Sequence, residues 1–153
     1  MMFNEKDHFF MEEALKEAEI AFKEEEVPVG AIIIGPEGEI IGRGRNQMIK
    51  LNDPTAHAEI IAIKEACQNL GNYRLLGCKM YVTLEPCPMC AYALVLARIE
   101  ELIFATKDKK TGACGSIYNI VQDQRLNHRL KIREGLLKEK AQNILKNFFK
   151  LKR

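Results

Sequence analysis

The sequence lacks any hydrophobic stretch long enough to cross a bilayer and has few of the residues that mark disordered or fibrous chains. No segment approaches the roughly 20 apolar residues of a transmembrane helix, and the N-terminus lacks a basic region followed by an apolar one. Only 10 glycines and 5 prolines occur in 153 residues, which excludes a collagen-like repeat and a low-complexity tail. We expect one globular domain, residues 1–153, working in the cytoplasm.

The chain also lacks an even set of cysteines, because it has 5. An odd number in a cytoplasmic protein argues against a disulfide framework and leaves metal binding, catalysis or burial as uses for the thiols. Cys67 lies on an apolar helical stripe with Ile60 and Ile63, so we expect it in the core. Cys78 and Cys114 have no predicted role.

The net charge of +2 hides an asymmetry between the two ends of the chain. Residues 1–26 carry nine acidic groups and three lysines, whereas the last sixteen residues carry six basic groups and one glutamate. A basic end can bind a polyanion, although charged residues on solvated helix faces are the commoner explanation. Charge alone leaves both interpretations open.

The first and last segments have the apolar spacing of helices. Apolar residues over 11–22 predict an amphipathic helix with its acidic face in water, and those over 137–148 predict a second one with Phe148 on its buried side. Between them, the β-branched run 29–34 and the segment 39–42 predict a hairpin whose glycines serve turn geometry.

The middle of the chain alternates between helical and strand patterns. Asp53 and Pro54 look like the entrance of a helix, with Asp53 as its cap. A strand is predicted over 80–84, a helix over 88–98 and another strand over 99–106. This alternation favours an α/β sheet whose later strands are parallel, with functional sites where strands end and helices begin.

Two motifs at predicted helix starts carry the chemistry, namely His57-Ala58-Glu59 and Cys87-x-x-Cys90. The dipole and free amides of a helix N-terminus stabilise thiolates, and thiolate is the form that binds zinc. His57 would complete a three-ligand site whose fourth position holds water, with a pKa near about 7. Two alternatives remain: a closed site with Cys78 or Cys114 as fourth ligand, and a redox Cys-x-x-Cys pair.

Glu59 supplies the next candidate role. A residue two positions after His57 projects from another side of a regular helix, so Glu59 need not bind the same ion. It can take a proton from the zinc-activated water and return it to a leaving nitrogen. The alternative is a first-turn glutamate that stabilises the helix dipole.

These motifs resemble the zinc-dependent nucleoside and nucleobase deaminases, whose members share the His-x-Glu and Pro-Cys-x-x-Cys signature. Further blocks make the chain more similar to one branch of that family, the bacterial tRNA-specific adenosine deaminases. These blocks are residues 26–31 (EVPVGA), Asn46, 53–59 (DPTAHAE), 81–87 (YVTLEPC), 108–112 (DKKTG), 127–129 (NHR) and 148–150 (FFK).

The resemblance implies a cytidine deaminase-like α/β fold, a three-layer α/β/α arrangement with a central mixed five-stranded sheet. It also implies a homodimer, a bound Zn²⁺ ion, and hydrolytic conversion of adenosine to inosine at the wobble position of a tRNA anticodon. By the same resemblance His57, Cys87 and Cys90 are the zinc ligands and Glu59 is the proton shuttle. Arg45 departs from the family pattern, which has an aromatic residue before Asn46.

Contacts to the substrate are also implied. Asn46 and the amide of Ala58 are expected to touch the target nucleoside, and Asp108 and Lys110 to lie beside the RNA strand. The alternative for that lysine-rich loop is a solvated turn. The basic C-terminal helix adds two residues suited to base stacking and phosphate binding. The full predicted set is Asn46, Ala58, Asp108, Lys110, Phe149 and Arg153.

Two other functions compete with this interpretation. The same zinc chemistry can deaminate a free small molecule, such as guanine, cytosine or a pyrimidine nucleotide. A non-catalytic RNA-binding module with a structural zinc is the second alternative, and it predicts four protein ligands and no chemical role for Glu59.

Overall fold

The structure, a computed structural model, describes residues 2–152, so the predicted RNA contact Arg153 lies outside the described residues. The elements alternate between helices and strands along most of the chain, as the sequence pattern predicts. They are α1 (Glu5–Lys23), β1 (Gly30–Ile34), β2 (Ile40–Arg45), α2 (Ala58–Leu70), β3 (Lys79–Leu84), α3 (Pro88–Leu96), β4 (Glu101–Thr106), a short 3-10 helix (Ile120–Gln122), β5 (Lys131–Glu134) and α4 (Lys138–Leu151).

The five strands form one mixed sheet in the order β2-β1-β3-β4-β5. Strand β1 is antiparallel to both of its neighbours, whereas β3, β4 and β5 run parallel to one another. The predicted hairpin and the predicted parallel strands are therefore confirmed. Because β3 and β4 end at the same edge of the sheet, the segments that follow them lie close together there.

Helices cover both faces of this sheet. On one face α2 and α3 bury Ala62 and Leu94 in a core with the sheet. On the other face α1 and α4 bury Met11 and Ala141 in a second core. The predicted three-layer α/β/α architecture is confirmed, and Phe148 is buried on α4 as expected.

Two glycines in β2 let helix α2 approach the sheet closely. A Cβ atom on Gly44 would collide with the carbonyl oxygen of Ala58, and one on Gly42 would collide with that of Ala62. The expectation that Gly42 serves turn geometry is therefore wrong, since its role is close packing. This contact fixes the first turn of α2 against the backbone of β2.

The acidic face of α1 does not lie wholly in water, contrary to the prediction. Glu13 and Glu17 are buried against the edge strand β2, where Arg43 lies 2.7 Å from Glu13 and Arg45 lies 3.6 Å from Glu17. Arg45 also pairs with Glu24 at 2.7 Å. Arg45, the residue that departs from the family pattern, is thus held by ion pairs with Glu17 on α1 and with Glu24 at its C-terminal end. Much of the negative charge near the N-terminus is neutralised by such ion pairs within the protein.

The start of α2 also differs from the prediction. Asp53 is not its cap, because its carboxylate accepts hydrogen bonds from the backbone N–H and hydroxyl of Thr55 at 2.8 and 2.7 Å. Because of that short turn, the helix begins only at Ala58. Its N-cap is His57, whose own backbone is extended. Glu59 consequently lies in the first turn.

Helix α3 ends earlier than predicted, at Leu96 rather than Arg98. Arg98 has a left-handed backbone with φ of 62°, a conformation that cannot continue a right-handed helix. Strand β4 accordingly begins at Glu101 and not at Ile99.

Candidate metal centre and substrate pocket

Three candidate metal ligands converge from the N-termini of two helices. His57 is the N-cap of α2, Cys87 is the N-cap of α3, and Cys90 lies in the first turn of α3. The Nδ1 atom of His57 is 3.6 Å from Sγ of Cys87 and 3.5 Å from Sγ of Cys90. Within residues 2–152, no other group of His, Cys, Asp or Glu side chains has ligand atoms gathered in this way.

The chemistry of these donors fits zinc. A hydrogen bond from Cys90, reinforced by His57, lowers the pKa of Cys87 to about 4 despite its burial. The same hydrogen bond, together with burial, raises the pKa of Cys90, so this thiol keeps its proton when no metal is bound. Two sulfurs and an imidazole nitrogen are ligands that Zn²⁺ prefers, and zinc binding displaces such a proton.

None of the other three cysteines joins this group. The thiol of Cys67 donates to the carbonyl of Tyr73 and that of Cys78 donates to the carbonyl of Leu76. Cys114 is buried, and burial raises the pKa of its thiol. The closed four-ligand site is therefore not supported by the described residues, and the three-ligand arrangement leaves a coordination position for a non-protein ligand.

Glu59 lies beside the ligands without belonging to their group. Its carboxyl is buried, with 4% of the residue exposed. Burial is the main reason that its pKa rises to about 7, and a hydrogen bond from its own backbone N–H, the charge of His57 and the Cys90 thiol only partly oppose this rise. A carboxyl with a pKa near neutrality is suited to accepting a proton and giving it back.

A pocket of about 140 Å³ opens over these groups. Larger clefts of about 500 and 540 Å³ lie elsewhere on the surface, so chemistry and not size identifies the site. One wall is apolar, formed by Val27, Val29, Met48 and Leu84, and the polar lining comprises Asn46, His57, Glu59, Glu85, Cys87, Asp108 and Thr111.

Asn46 is held at the pocket wall by the first turn of α2. Its Oδ1 atom accepts a hydrogen bond of 2.9 Å from the backbone N–H of Ala58. Because a backbone N–H only donates, this bond fixes the orientation of the amide and turns its nitrogen into the available donor. The Ala58 N–H already donates to Asn46, so it can contact a base only through a bifurcated hydrogen bond that includes both acceptors.

The loop after β4 brings Asp108 into the lining of the pocket. The carboxylate of Asp108 accepts hydrogen bonds from the backbone N–H of Lys110 and of Thr111, and from the Thr111 hydroxyl. This local turn fixes Asp108 at the pocket, whereas Lys110 is exposed and does not line it.

Among the residues that the structure describes, the remaining predicted contact is Phe149, which lies on α4. Phe149 is half exposed, and its neighbour Phe148 packs edge-on against Phe22 of α1. Only Phe149 of this pair is therefore available for stacking on a base.

Glu85 is a pocket residue that the sequence motifs did not single out for a role. Its carboxylate, with 2% of the residue exposed, accepts hydrogen bonds from the backbone N–H groups of Asp108, Cys114 and Ser116 and from the Ser116 hydroxyl. The signal in the sequence is a lone acidic residue at the end of the apolar run of β3. Its partners come from a loop that follows the next helix and strand, so the run itself cannot reveal them.

Comparison with known proteins agrees with this geometry. Residues 4–106 match the family model described as the cytidine and deoxycytidylate deaminase zinc-binding region. The tRNA-specific adenosine deaminase of Aquifex aeolicus (strain VF5) is 54% identical over 142 residues, which cover 93% of each protein.

Solved structures give the same picture. A structure from work on A-to-I editing by tRNA:A34 deaminases at the wobble position of transfer RNA is 43% identical and superimposes with a TM-score of 0.86, covering 90% of this chain and 99% of that chain. The guanine deaminase of Nitrosomonas europaea is 21% identical with a TM-score of 0.80, covering 92% of this chain and 83% of that chain, and shares the fold alone.

Proposed function

Since this chain belongs to the cytidine and deoxycytidylate deaminase zinc-binding family, we propose that it is a zinc-dependent hydrolase that converts adenosine to inosine at the wobble position of a tRNA anticodon. The observation that carries the chemistry is the three-ligand group beside the buried carboxyl of Glu59. The choice of substrate rests on the relatives named tRNA-specific adenosine deaminase, which are 44–54% identical over most of the chain. The guanine deaminase of Nitrosomonas europaea, at 21% identity, shares the fold alone, and that of Bacillus subtilis is 38% identical but covers only 69% of this chain.

His57, Cys87 and Cys90 would hold the zinc ion. When bound, zinc lowers the pKa of a coordinated water toward neutrality and so makes a nucleophile available. The protein contributes the helix N-termini that favour thiolate at Cys87. It also leaves one coordination position without a protein ligand.

Glu59 is the proton carrier of the proposed reaction. The overall change adds water across the N1–C6 double bond of adenine and releases the 6-amino group as ammonia, so one proton of the water ends on N1 and the other must move to the departing nitrogen. A buried carboxyl with a pKa near neutrality can accept that proton and deliver it, as general base and then general acid. Burial also keeps bulk water away from the transfer.

Asn46 and the apolar wall orient the base. The free amide nitrogen of Asn46 can donate a hydrogen bond to an acceptor on the base edge, while Val29 and Leu84 contact its faces. Anticodon loops present their bases unpaired, so entry of the target base into the pocket has a small conformational cost. Asp108 at the pocket wall, with Lys110 and Phe149 outside it, would contact the flanking nucleotides. Arg153 is proposed for the same role from the sequence alone.

The chain is proposed to act as a homodimer. Helix α3 is apolar on both sides: Leu94 and Val95 are buried in the core, whereas Met89, Tyr92 and Leu96 on its outer side are 37–59% exposed. An exposed apolar face on a helix this close to the site is typical of a surface covered by another chain. Sedimentation equilibrium measures this directly, and a Leu96→Glu variant is expected to shift the mass to that of a monomer.

The whole of residues 1–153 is assigned to one deaminase domain, because β5 and α4, which follow the matched region, complete the sheet and one helical layer. Among residues 2–152, no helix has the length and apolar character needed to cross a membrane. A tRNA substrate and thiolate zinc ligands both suit the reducing cytoplasm, which is the proposed location.

The test is to measure inosine formation on an anticodon stem-loop RNA, with free guanine, cytosine, adenosine and deoxycytidylate assayed in parallel. We expect turnover of the wobble adenosine in the RNA and none of the free compounds. Turnover confined to a free base or nucleotide would overturn the assignment. RNA binding without any deamination, together with a fourth protein ligand on zinc, would identify a non-catalytic module instead.

A further inference from the structure

A second cleft lies beside the substrate pocket, at the edge of the sheet where β4 and β5 end and α4 begins. It has a volume of about 540 Å³. Four lysines line it, namely Lys107, Lys109, Lys138 and Lys146, and we call it the lysine cleft.

Most of the positive charge in this cleft has no counter-charge. Glu134 is the one acidic residue in its lining, and its carboxylate lies 3.5 Å from the ammonium of Lys107. Lys109, Lys138 and Lys146 form no ion pair with any residue between positions 2 and 152. Like charges gathered around one cavity repel each other, and an anion bound there would remove that repulsion.

The N-terminal end of α4 adds to the positive potential. Leu137 occupies the N-cap position and provides no side-chain acceptor. Within residues 2–152, the backbone N–H groups of residues 138–140 have no hydrogen-bond acceptor. Uncapped amides and the helix dipole both favour a negative group at this end, where Lys138 borders the cleft.

The loop after β4 forms the wall between the lysine cleft and the substrate pocket. Asp108 faces the pocket, whereas the residues on either side of it, Lys107 and Lys109, face the cleft. The two cavities are therefore neighbours, separated by a single turn of backbone that Glu85 and the Asp108 carboxylate hold in place.

We propose that the lysine cleft binds backbone phosphates of the tRNA next to the nucleotide that enters the substrate pocket. An RNA strand that places one base in the pocket must continue over its rim, and each neighbouring nucleotide carries a negative phosphate. Lysines bind phosphate as mobile point charges without reading the base. The proposal rests on the proposed tRNA substrate and adds to it a binding surface formed by β4, β5 and α4.

The test compares charge reversals inside and outside the cleft. Lys109→Glu and Lys146→Glu change exposed side chains in the cleft, and Lys6→Glu changes an exposed, unpaired lysine in the first turn of α1 as the matched control. Binding of an anticodon stem-loop is measured by fluorescence anisotropy at several salt concentrations, and inosine formation gives kcat and KM.

Each cleft variant is expected to raise Kd and KM by about fivefold or more, with the effect in KM rather than in kcat. The slope of log affinity against log salt should become shallower by about 1 for each phosphate that the variant no longer binds. Lys6→Glu should leave both values near those of the unmodified protein. Equal affinities and salt slopes for all three variants would overturn the proposal.

A free phosphate compound as the occupant is distinguished in the same experiment. Inorganic phosphate is titrated into each protein and followed by NMR shifts of the loop 107–109. Binding of inorganic phosphate that Lys146→Glu abolishes, with no change in RNA affinity, would contradict an RNA site. Failure of the unmodified protein to form inosine would count against the proposed function and not against the cleft, whose RNA affinity is measured separately.

Discussion

Two clusters of buried polar groups lie on opposite sides of the sheet, and they differ in how completely they satisfy one another. Near the start of β3, Asp7 accepts hydrogen bonds from the Tyr81 hydroxyl and from both terminal nitrogens of Arg133. Arg133 also bonds to Glu101 at 2.7 Å. In the substrate pocket, the hydrogen-bond donors to Glu59 among residues 2–152 are the weak thiol donor of Cys90 and its own backbone amide.

The difference separates a structural role from a chemical one. The Asp7 cluster uses its hydrogen-bonding capacity internally, so it stabilises the packing of α1 against β3 and β5. Glu59 keeps unused acceptor capacity at the wall of a cavity, at a cost in folding free energy that a purely structural carboxyl would not carry. Substitutions in the two clusters should therefore affect different measurements.

The largest effect is expected from removing a candidate metal ligand. Cys87→Ser should reduce bound zinc to a small fraction of one ion per chain and abolish inosine formation, because serine does not supply a thiolate. Cys67→Ser is the matched control, since that thiol donates only to a backbone carbonyl. Metal analysis of the purified proteins would contradict the assignment if both variants held equal zinc.

Glu59→Gln should come next, lowering kcat by about 10³-fold or more while leaving zinc content and RNA affinity nearly unchanged. Glutamine has the same shape but cannot carry the proton. Thermal unfolding should show equal or greater stability, because a buried carboxyl has been replaced by a neutral group. Single-turnover kinetics on the stem-loop RNA measure the chemical step, and a kcat within tenfold of the unmodified protein would remove Glu59 from the mechanism.

Asp7→Asn should give the opposite pattern, with a loss of about 2 kcal/mol in unfolding free energy and an unchanged kcat in the folded enzyme. Burial opposes ionisation of Asp7, but hydrogen bonds from Arg133 and Tyr81 lower its pKa to about 2. A lowered pKa contributes stability above about pH 4, and that contribution is lost as the pH falls toward 2. The stability of the unmodified protein should thus fall more steeply over this range than that of Asp7→Asn, as urea titrations at each pH would measure.

The smallest of these effects is expected for Glu85→Gln, because Glu85 shares one property with each of the two clusters. Its carboxylate is fully hydrogen-bonded like Asp7, yet it lines the pocket like Glu59. The amide keeps one acceptor oxygen and replaces the other with a donor, so the loop that carries Asp108 should loosen. We expect KM for the RNA to rise about tenfold or less, with kcat changed less than in Glu59→Gln. Ser116→Ala, which removes one of the same hydrogen bonds, should move KM in the same direction.

The candidate ligands could be predicted from the sequence because each motif occupies a helix N-terminus, so local spacing nearly determines where the side chains meet. Strands β3 and β4 and helices α2 and α3, which position the site, also have clear local patterns. The fifth strand has none, since its residues 131–134 are partly exposed and charged, and only the family resemblance indicated it.

The features that sequence reasoning missed depend on contacts between distant segments. Asp53 followed by proline is typical of a helix start, but its carboxylate is used by Thr55 and the helix begins later. Glu17 is buried because arginines on β2 lie opposite it. The role of Glu85 requires a loop that returns to the end of β3 only in the folded chain.

X-ray absorption spectroscopy at the zinc edge, on the full-length protein as purified, tests most directly whether the site is an open centre built for chemistry. We predict two sulfur ligands at about 2.3 Å and two lighter N or O ligands, of which only one is a histidine nitrogen. Three or four sulfur ligands, or a zinc content far below one ion per chain, would contradict an open three-ligand centre.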